Sequence, residues 1–524
     1  MRKYFVIVAL SLCFTLASGA ENWKSLNRQA QKEYLSAVHP GKLGVRPYWN
    51  DFAKKFIYAP SFAFKAVDGA QKYLFTLRQE NAQATWQFKA DTQEASLAPV
   101  WNKIPVGNIV LTVEALDKKG QVIAKVGERK FFRDYPFEGP YHEAVRPYKA
   151  AAIMTLVSIH NMSAVQNWKK TSKEPDMSYP HNTYPNKIIG STVSSEVLLA
   201  TLMPKYKDDA IKIAKSAAEF LISKSAPEGS PLAFFPPTYY GGLIASKKAE
   251  NQGKTMTMDA AYSANAFLDL YDFTKEKSYY DRAIGIADTF VRLQREDGSL
   301  PIKVDFYTAE PVNNSCAMLS PMLSFFWRLR NQYGVSKYDE ATAKAEKWMN
   351  DHIVSKFDMT GQFEDVSVSN LRPYENLTNC TATAYASYLL LDKNVRKEAV
   401  DTAYDLVRMS EDQFVYWDQP KDENGLKRDT TPCVFEQYKY AMPVDNSACN
   451  VANAMLSIYE KTADRLMFHK AKALVDNLTI VQDVITGRIP TTWRNRKKAT
   501  YWINCNYASA RMLLRFDSLS GSEK

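Results

Sequence analysis

The chain has 524 residues, of which 46% are hydrophobic, and a formal net charge of +10. This length and composition predict a globular protein with room for two domains. The sequence lacks a phosphate-binding loop, a glycine-rich dinucleotide turn, an HExxH zinc motif and an EF-hand spacing, so we predict no cofactor and no bound metal.

The first 20 residues have the pattern of a secretory signal peptide. Arg2 and Lys3 precede an apolar stretch from Phe5 to Leu16, and small residues follow at positions 18–20. No later apolar run is long enough to span a bilayer. We therefore predict an exported protein, periplasmic or secreted, without a transmembrane segment and without nucleic acid as a partner.

Residues 21–138 are predicted to form an N-terminal extension and a small β-sandwich. Apolar and polar side chains alternate from Phe56 to Phe132, which is typical of short strands with one buried face. The segments Phe64–Phe75 and Pro105–Asp117 resemble fibronectin type III modules. Such a module either binds glycan or braces the rest of the chain. The ordered composition of Arg133–Tyr148, unlike that of a flexible linker, favours the brace.

Residues 139–518 contain a unit that recurs six times: an apolar helix, a short turn, an amphipathic helix and a long aromatic loop. The first helices are predicted to begin near Ser191, Met258, Ser315, Asn379, Asp445 and Tyr501. Their partners are predicted at Asp208–Ile222, Tyr279–Leu293, Tyr338–Met349, Arg396–Met409 and Met467–Val481, with Glu143–Trp168 as the sixth.

The predicted fold is mainly α: an (α/α)6 toroid of six helical hairpins, preceded by the β-sandwich. The first helices are interpreted as apolar nearly all round, as in a buried inner ring, whereas the second helices carry charge on one face. Both terminal helices are apolar enough to pair, which favours a closed ring over an open solenoid. All the long loops then lie at the N-terminal ends of the inner helices, where we expect the functional site.

The chain resembles the six-hairpin glycosidase superfamily in all of its helical repeats. The unit at Met258–Asp297 is also similar to unsaturated glucuronyl hydrolases: Asp259 opens an inner helix, a turn follows at Thr274–Ser278, and the unit runs on into Gln294–Pro301. The resemblance implies the toroid and a glycan-degrading protein of the type exported by Bacteroidetes. It does not single out one reaction, because related epimerases and polysaccharide lyases share these features.

Glycoside hydrolysis requires two carboxyl groups, one to protonate the leaving oxygen and one to act as base or nucleophile. We predict that the acid and the base come from the loop-face carboxyl residues Asp259, Glu375, Glu436 and Asp445. Asp259 and Asp445 also fit ordinary helix N-caps, and Glu375 and Glu436 also fit salt bridges that brace a loop.

Saccharide binding requires aromatic stacking surfaces and planar hydrogen-bonding groups, and the long loops are rich in both. The predicted substrate-binding residues are Asn182, Tyr239, Tyr240, Asn314, Trp417, Tyr438, Trp493 and Arg494. Arg494 belongs to a basic loop that would attract an acidic glycan. We therefore expect an oligosaccharide or polysaccharide as the partner, with uronic acids among its sugars.

Two other functions stay open at this point. Polysaccharide lyases cleave uronic-acid glycans by β-elimination, which requires a charge neutraliser and a base such as His or Tyr. The segment Tyr179–Lys187 supplies His181 and Tyr184 for that chemistry. The other alternative is a glycan-binding protein without catalysis, which would have cleft aromatics but no pair of carboxyl groups in reach.

Overall fold

The structure is a computed structural model, and it describes residues 22–36, 38, 53–241, 251–355, 378–418, 431–438, 440–493 and 500–522. The predicted signal peptide lies outside these ranges. Within them, no helix combines the length and the apolar character needed to cross a membrane.

The N-terminal part has its own hydrophobic core, beneath one face of a sheet. Its elements are α1 (Trp23–Glu33), β1 (Lys55–Phe56), β2 (Ser61–Ala63), β3 (Lys72–Gln79), β4 (Thr85–Ala90), β5 (Glu94–Ser96), α2 (Ala98–Trp101), β6 (Gly107–Leu116) and β7 (Val122–Arg133). The main sheet has the order β1-β7-β6-β3-β4, and β2 pairs with β5. Along β3, Tyr73, Phe75 and Leu77 are buried at every second position, as the alternation predicts. A sandwich of the fibronectin type stays a prediction.

The rest of the described chain is mainly helical. Its helices are α3 (Tyr148–His160), α4 (Ser163–Gln166), α5 (Gly190–Leu202), α6 (Lys207–Lys224), α7 (Ala260–Thr274), α8 (Lys277–Leu293), α9 (Ser320–Tyr333), α10 (Asp339–Trp348), α11 (Thr378–Leu389), α12 (Lys397–Phe414), α13 (Asp445–Thr462), α14 (Arg465–Val481) and α15 (Ile503–Ser522). Short strands lie between them: β8 (Lys254–Met256), β9 (Lys303–Asp305), β10 (Val415–Tyr416), β11 (Cys433–Gln437) and β12 (Tyr440–Pro443).

These helices form two concentric rings. In the inner ring, α5, α7, α9, α11, α13 and α15 each pack against the next, and α15 packs back against α5. The outer helices α6, α8, α10, α12 and α14 each pack against the inner helix that precedes them, and α3 packs against α15. The closed arrangement is the predicted (α/α)6 toroid, including the pairing of the last helix with the first.

Two helix boundaries differ from the prediction. Helix α9 begins at Ser320 rather than near Ser315, because Cys316 is engaged in a β-bridge with Pro301. The helix predicted over Glu143–Trp168 is shorter, because Pro147 precedes its first turn and α3 ends at His160.

A buried polar network joins α1 to the outer helices α12 and α14. Lys470 Nζ lies 2.7 Å from a carboxylate oxygen of Glu33 and 2.7 Å from one of Glu411. The hydroxyls of Tyr34 and Tyr58 donate to Glu411 at 2.8 and 2.9 Å. Lys470 and Glu411 are fully buried, so each charge depends on the other for compensation. This interface network fixes the N-terminal part to the toroid, as a brace would be fixed.

Candidate functional site

The toroid encloses a cavity of about 1740 Å³. The residues that line it at the N-terminal ends of the inner helices define what we call the N-terminal mouth: Lys187, Glu436, Gln437, Asn446, Trp502 and Asn504. They provide a carboxylate, an ammonium group, an aromatic ring and three side-chain amides. Convergent polar groups next to an aromatic ring are typical of ligand sites.

Glu436 is positioned by a three-stranded sheet that leads into α13. Its strand, β11, pairs with β10 on one side and with β12 on the other. The backbone N–H of Val444 donates to Val434 at 3.0 Å, which fixes this sheet at the start of the helix. Glu436 is half-buried and lines the cavity that a ligand would occupy.

An aromatic wall, formed by Tyr184, Trp502 and His181, lies at the same mouth. The Trp502 and His181 rings stack with centroids 3.9 Å apart, and the Tyr184 centroid is 6.0 Å from that of Trp502. Lys187 lies in a single π-helical turn before α5, with its Nζ 5.9 Å from the Trp502 ring centroid. A turn of this type at a helix start is frequent at functional sites.

Asp445 lies behind the wall of the cavity, as the first residue of α13. It is 0% exposed and accepts hydrogen bonds from the Asn446 N–H at 2.7 Å and the Ser509 hydroxyl at 3.3 Å. Burial raises the pKa of this carboxyl well above its ordinary value, and the negative charge of Glu436 adds to the shift. The structure therefore places Asp445 off the cavity surface, and its catalytic role stays a prediction.

Asp259 is the second predicted carboxyl that the structure places away from the cavity. It is 1% exposed, in the turn that precedes α7. The structure therefore places Asp259 off the cavity surface, and its catalytic role stays a prediction. Glu375 lies outside the described residues.

His181 and Tyr184 stand behind Trp502 rather than on the cavity surface. Burial, and then the positive charge of Lys187, lower the pKa of His181 to about 4. The imidazole is therefore neutral at pH 7 and able to accept a proton. Tyr184 is 7% exposed and lies against Trp502 and Tyr239.

We expect His181 to make folding less favourable as the pH falls. An unperturbed histidine titrates near pH 6.5, so between pH 6.5 and 4 the unfolded chain binds a proton that the folded chain does not. The H181Q variant should therefore lose less stability than the wild type when denaturant midpoints are compared at pH 6.5 and 4.5. The exposed His142 provides the control: H142Q should behave like the wild type. If H181Q and the wild type lost the same stability between pH 6.5 and 4.5, the lowered pKa of His181 in the folded chain would be contradicted.

Several predicted saccharide-binding aromatics are parts of the core. Trp417 is 1% exposed, and its indole N–H donates to Glu411 of the interface network at 3.0 Å. Trp493 is fully buried and donates to the Pro490 carbonyl at 3.0 Å. The structure therefore places both rings in the core and not on the cavity surface.

Among the other predicted binding residues, those that the structure describes do not line the cavity. Asn182 is buried and donates to the Asp176 carbonyl at 2.9 Å. The Tyr240 hydroxyl donates to Glu174, and Asn314 is exposed outside the cavity. Tyr239 and Tyr438 are packed against the hydrophobic core. Arg494 falls outside the described ranges.

A polar stripe along the inner helices was missed by the sequence analysis. Cavity-lining residues recur every three to four positions and so share one face of a helix: Asn446, Asn450 and Asn453 on α13, Ser320, Ser324 and Arg328 on α9, and Asn265, Asp269 and Asp272 on α7. The interpretation of these helices as apolar all round is wrong for that face. The stripe can be predicted from the spacing of the polar residues along each helix, whereas the sequence analysis followed the spacing of the apolar residues.

Two cysteines line the cavity but do not suit metal binding or nucleophilic attack. Burial raises the pKa of the Cys380 thiol to about 12, and it raises that of Cys505 as well. A protonated thiol is a poor nucleophile and a poor ligand. Over the described ranges, no group of three or more His, Cys, Asp or Glu side chains could hold a metal ion.

Comparison with known proteins extends the description of the fold. No protein-family model and no curated protein matches this chain. Among solved structures, the cellobiose 2-epimerase from Spirochaeta thermophila is similar, with a TM-score of 0.50 and 10% identity over 72% of this chain and 99% of that one. A family 76 glycoside hydrolase from Bacteroides thetaiotaomicron gives 0.46 and 9%, covering 86% of this chain and 93% of that one. An unsaturated glucuronyl hydrolase specific for heparin gives 0.46 and 10%, covering 71% and 97%. At such identities the likeness concerns the fold alone.

Proposed function

We propose that the protein is an exported glycoside hydrolase that acts on oligosaccharides containing uronic acids. The observation that carries the proposal is Glu436, half-buried on the cavity wall beside Trp502 and three side-chain amides. Glycoside hydrolysis requires a carboxyl group placed next to surfaces that bind sugar rings and hydroxyls. One solved structure with a similar fold, at a TM-score of 0.50, is a cellobiose 2-epimerase, and its name gives a saccharide as its substrate.

In this proposal three residues of the N-terminal mouth have separate tasks. Glu436 exchanges a proton with the glycosidic oxygen or with water, and Trp502 stacks against a sugar ring. Lys187 donates a charge-assisted hydrogen bond to the carboxylate of a uronic acid. Asp445 is fully buried and does not line the cavity, so it is given no contact with the substrate in this proposal. Glu375 stays the sequence-based candidate for the second carboxyl.

The aromatic wall favours β-elimination as a second candidate. Lys187 would neutralise the uronate carboxylate, and the neutral imidazole of His181 or the hydroxyl of Tyr184 would take the proton. Its low pKa keeps His181 unprotonated over the pH range in which most proteins are stable. Tyr184 is buried, His181 is half-buried and neither lines the cavity, so this reaction requires the wall to open.

The two reactions are distinguished by their products. The mature protein is incubated with acidic and neutral glycans, and ultraviolet absorbance is followed together with the release of reducing ends. Release without a gain in absorbance supports hydrolysis. A gain in absorbance reports a new unsaturated uronate and overturns the hydrolase proposal in favour of the lyase. Glycan binding without either signal favours the non-catalytic alternative.

A further inference from the structure

The cavity does not end at the N-terminal mouth. Its wall continues to residues at or beyond the opposite ends of the inner helices: Thr201, Phe273, Gln332 and Leu391. Helix α9 alone has 14 residues, which corresponds to a wall about 21 Å long at about 1.5 Å per residue. Sites for small ligands occupy about 300–1,000 Å³, so one or two sugar rings would leave much of the 1740 Å³ unfilled.

The bore of the toroid, meaning this cavity from end to end, carries polar side chains along its length beside apolar ones, whereas a packed core would be apolar throughout. The polar stripes of α7, α9 and α13 face it along its length. Ser320 is 1% exposed and lines it, and its hydroxyl has no hydrogen-bond partner in the described part of the chain. A buried hydroxyl without a partner costs free energy, so this position calls for water or a hydroxylated ligand.

The far end of the bore, the C-terminal mouth, combines an anchored aromatic ring with fixed charged groups. Trp327 borders the cavity, and its indole N–H donates to Asp392 at 2.7 Å, in the turn after α11. Arg328 donates to Asp269 at 2.8 Å and to Asp272 at 2.9 Å. The ring and the polar groups are therefore held in place before any ligand arrives, as in a preorganised saccharide subsite.

We propose that the bore binds a linear saccharide along the axis of the toroid, with a second subsite at the C-terminal mouth around Trp327. The class of ligand rests on the proposed function, but the site itself rests on the polar, continuous bore. The reacting sugar lies at Glu436, and the distal sugars extend past Ser324 towards Arg328. Affinity should then rise with chain length until the saccharide reaches Trp327.

The first test blocks the middle of the bore with a large side chain, which we call the plug. Ser324 lines the bore one turn after Ser320, and S324W would fill the passage. Binding and turnover are measured on two ladders, oligogalacturonides and cello-oligosaccharides. On the ladder that the wild type binds, S324W should lower the affinity for the long members at least tenfold more than that for the shortest one. The control A343W adds the same ring to the exposed face of outer helix α10 and should leave both ladders unchanged.

A second variant keeps the proposal testable if the plug disturbs folding. Ser387 lines the bore in the last turn of α11, so S387C places a thiol there for reaction with a charged methanethiosulfonate. Long oligosaccharides should protect this thiol from the reagent, and the shortest one should not. The reaction of the wild-type cysteines with the same reagent is measured in parallel and subtracted. Turnover of a glycan without length-dependent protection overturns the bore site and leaves the hydrolase intact. Protection without turnover overturns the hydrolase and supports the bore site. Failure of every saccharide to protect overturns the bore site.

Discussion

Replacement of Glu436 by glutamine is expected to lower kcat by about 10²–10⁴-fold on the glycan that the wild type cleaves. Glutamine keeps the size and the hydrogen-bonding oxygen of the side chain but neither donates nor accepts a catalytic proton. Because the residue lies half-buried on the cavity surface, the change should leave the thermal transition and the binding affinity close to wild type. Steady-state kinetics and calorimetric binding to the same glycan measure the two effects separately.

The matched control is Glu310, an exposed carboxylate on the same loop face that lies outside the cavity lining. E310Q should retain wild-type kcat and KM. An E436Q enzyme with wild-type kcat would remove Glu436 from the reaction. A rise in KM at constant kcat would reduce its role to binding.

Replacement of Lys470 by methionine is expected to lower the free energy of unfolding by about 3–5 kcal/mol. The ammonium group is fully buried and is shared by Glu33 and Glu411. Arg408 still donates to Glu33 at 2.9 Å, but Glu411 would keep only neutral donors, such as Tyr34 and Tyr58, around a buried charge. Urea unfolding followed by tryptophan fluorescence measures the loss, and an unchanged m-value confirms that the same surface is exposed.

Lys397 offers a comparison, because it pairs with Asp401 on the solvent-exposed face of α12. K397M should cost far less than K470M, since water replaces an exposed partner readily. The double variant K470M/E411Q should recover part of the loss, because it removes the uncompensated carboxylate. Equal losses for K470M and K397M would show that the interface network contributes little to stability.

The ring of helices was predictable because it follows from local periodicity. Each hairpin repeats an apolar helix, a short turn and an amphipathic helix, and the spacing of apolar residues identifies those elements without knowledge of their partners. Element boundaries failed where a tertiary contact competes with the helix, as at Cys316, which pairs with Pro301 instead of opening α9. Alternation along the chain also placed the strands of the N-terminal part correctly.

The candidate site was less predictable because loop residues were chosen by chemical type. Trp417 and Trp493 are large enough to be needed in the core, and nothing in their local sequence shows that Trp417 donates to Glu411 within the interface network. Glu436 was chosen as a carboxyl residue of a long loop on the predicted loop face, and the structure has it among the residues that line the cavity. Lys187 was passed over as a site residue, since its position at the mouth depends on the turn before α5 rather than on its neighbours in the sequence.

The closure of the ring has a consequence for the order in which the chain acquires its structure. Helix α3 packs mainly against α15, near the other end of the described chain, and Glu33 contacts Lys470 across 437 positions of the sequence. Contacts between such distant segments form late, because a long stretch of chain must be ordered before they become favourable. A nascent chain that has not yet produced α14 and α15 therefore lacks these partners of its first helices, however complete its earlier hairpins are. The proposed export in an unfolded state would suit a chain whose first and last helices pack against each other.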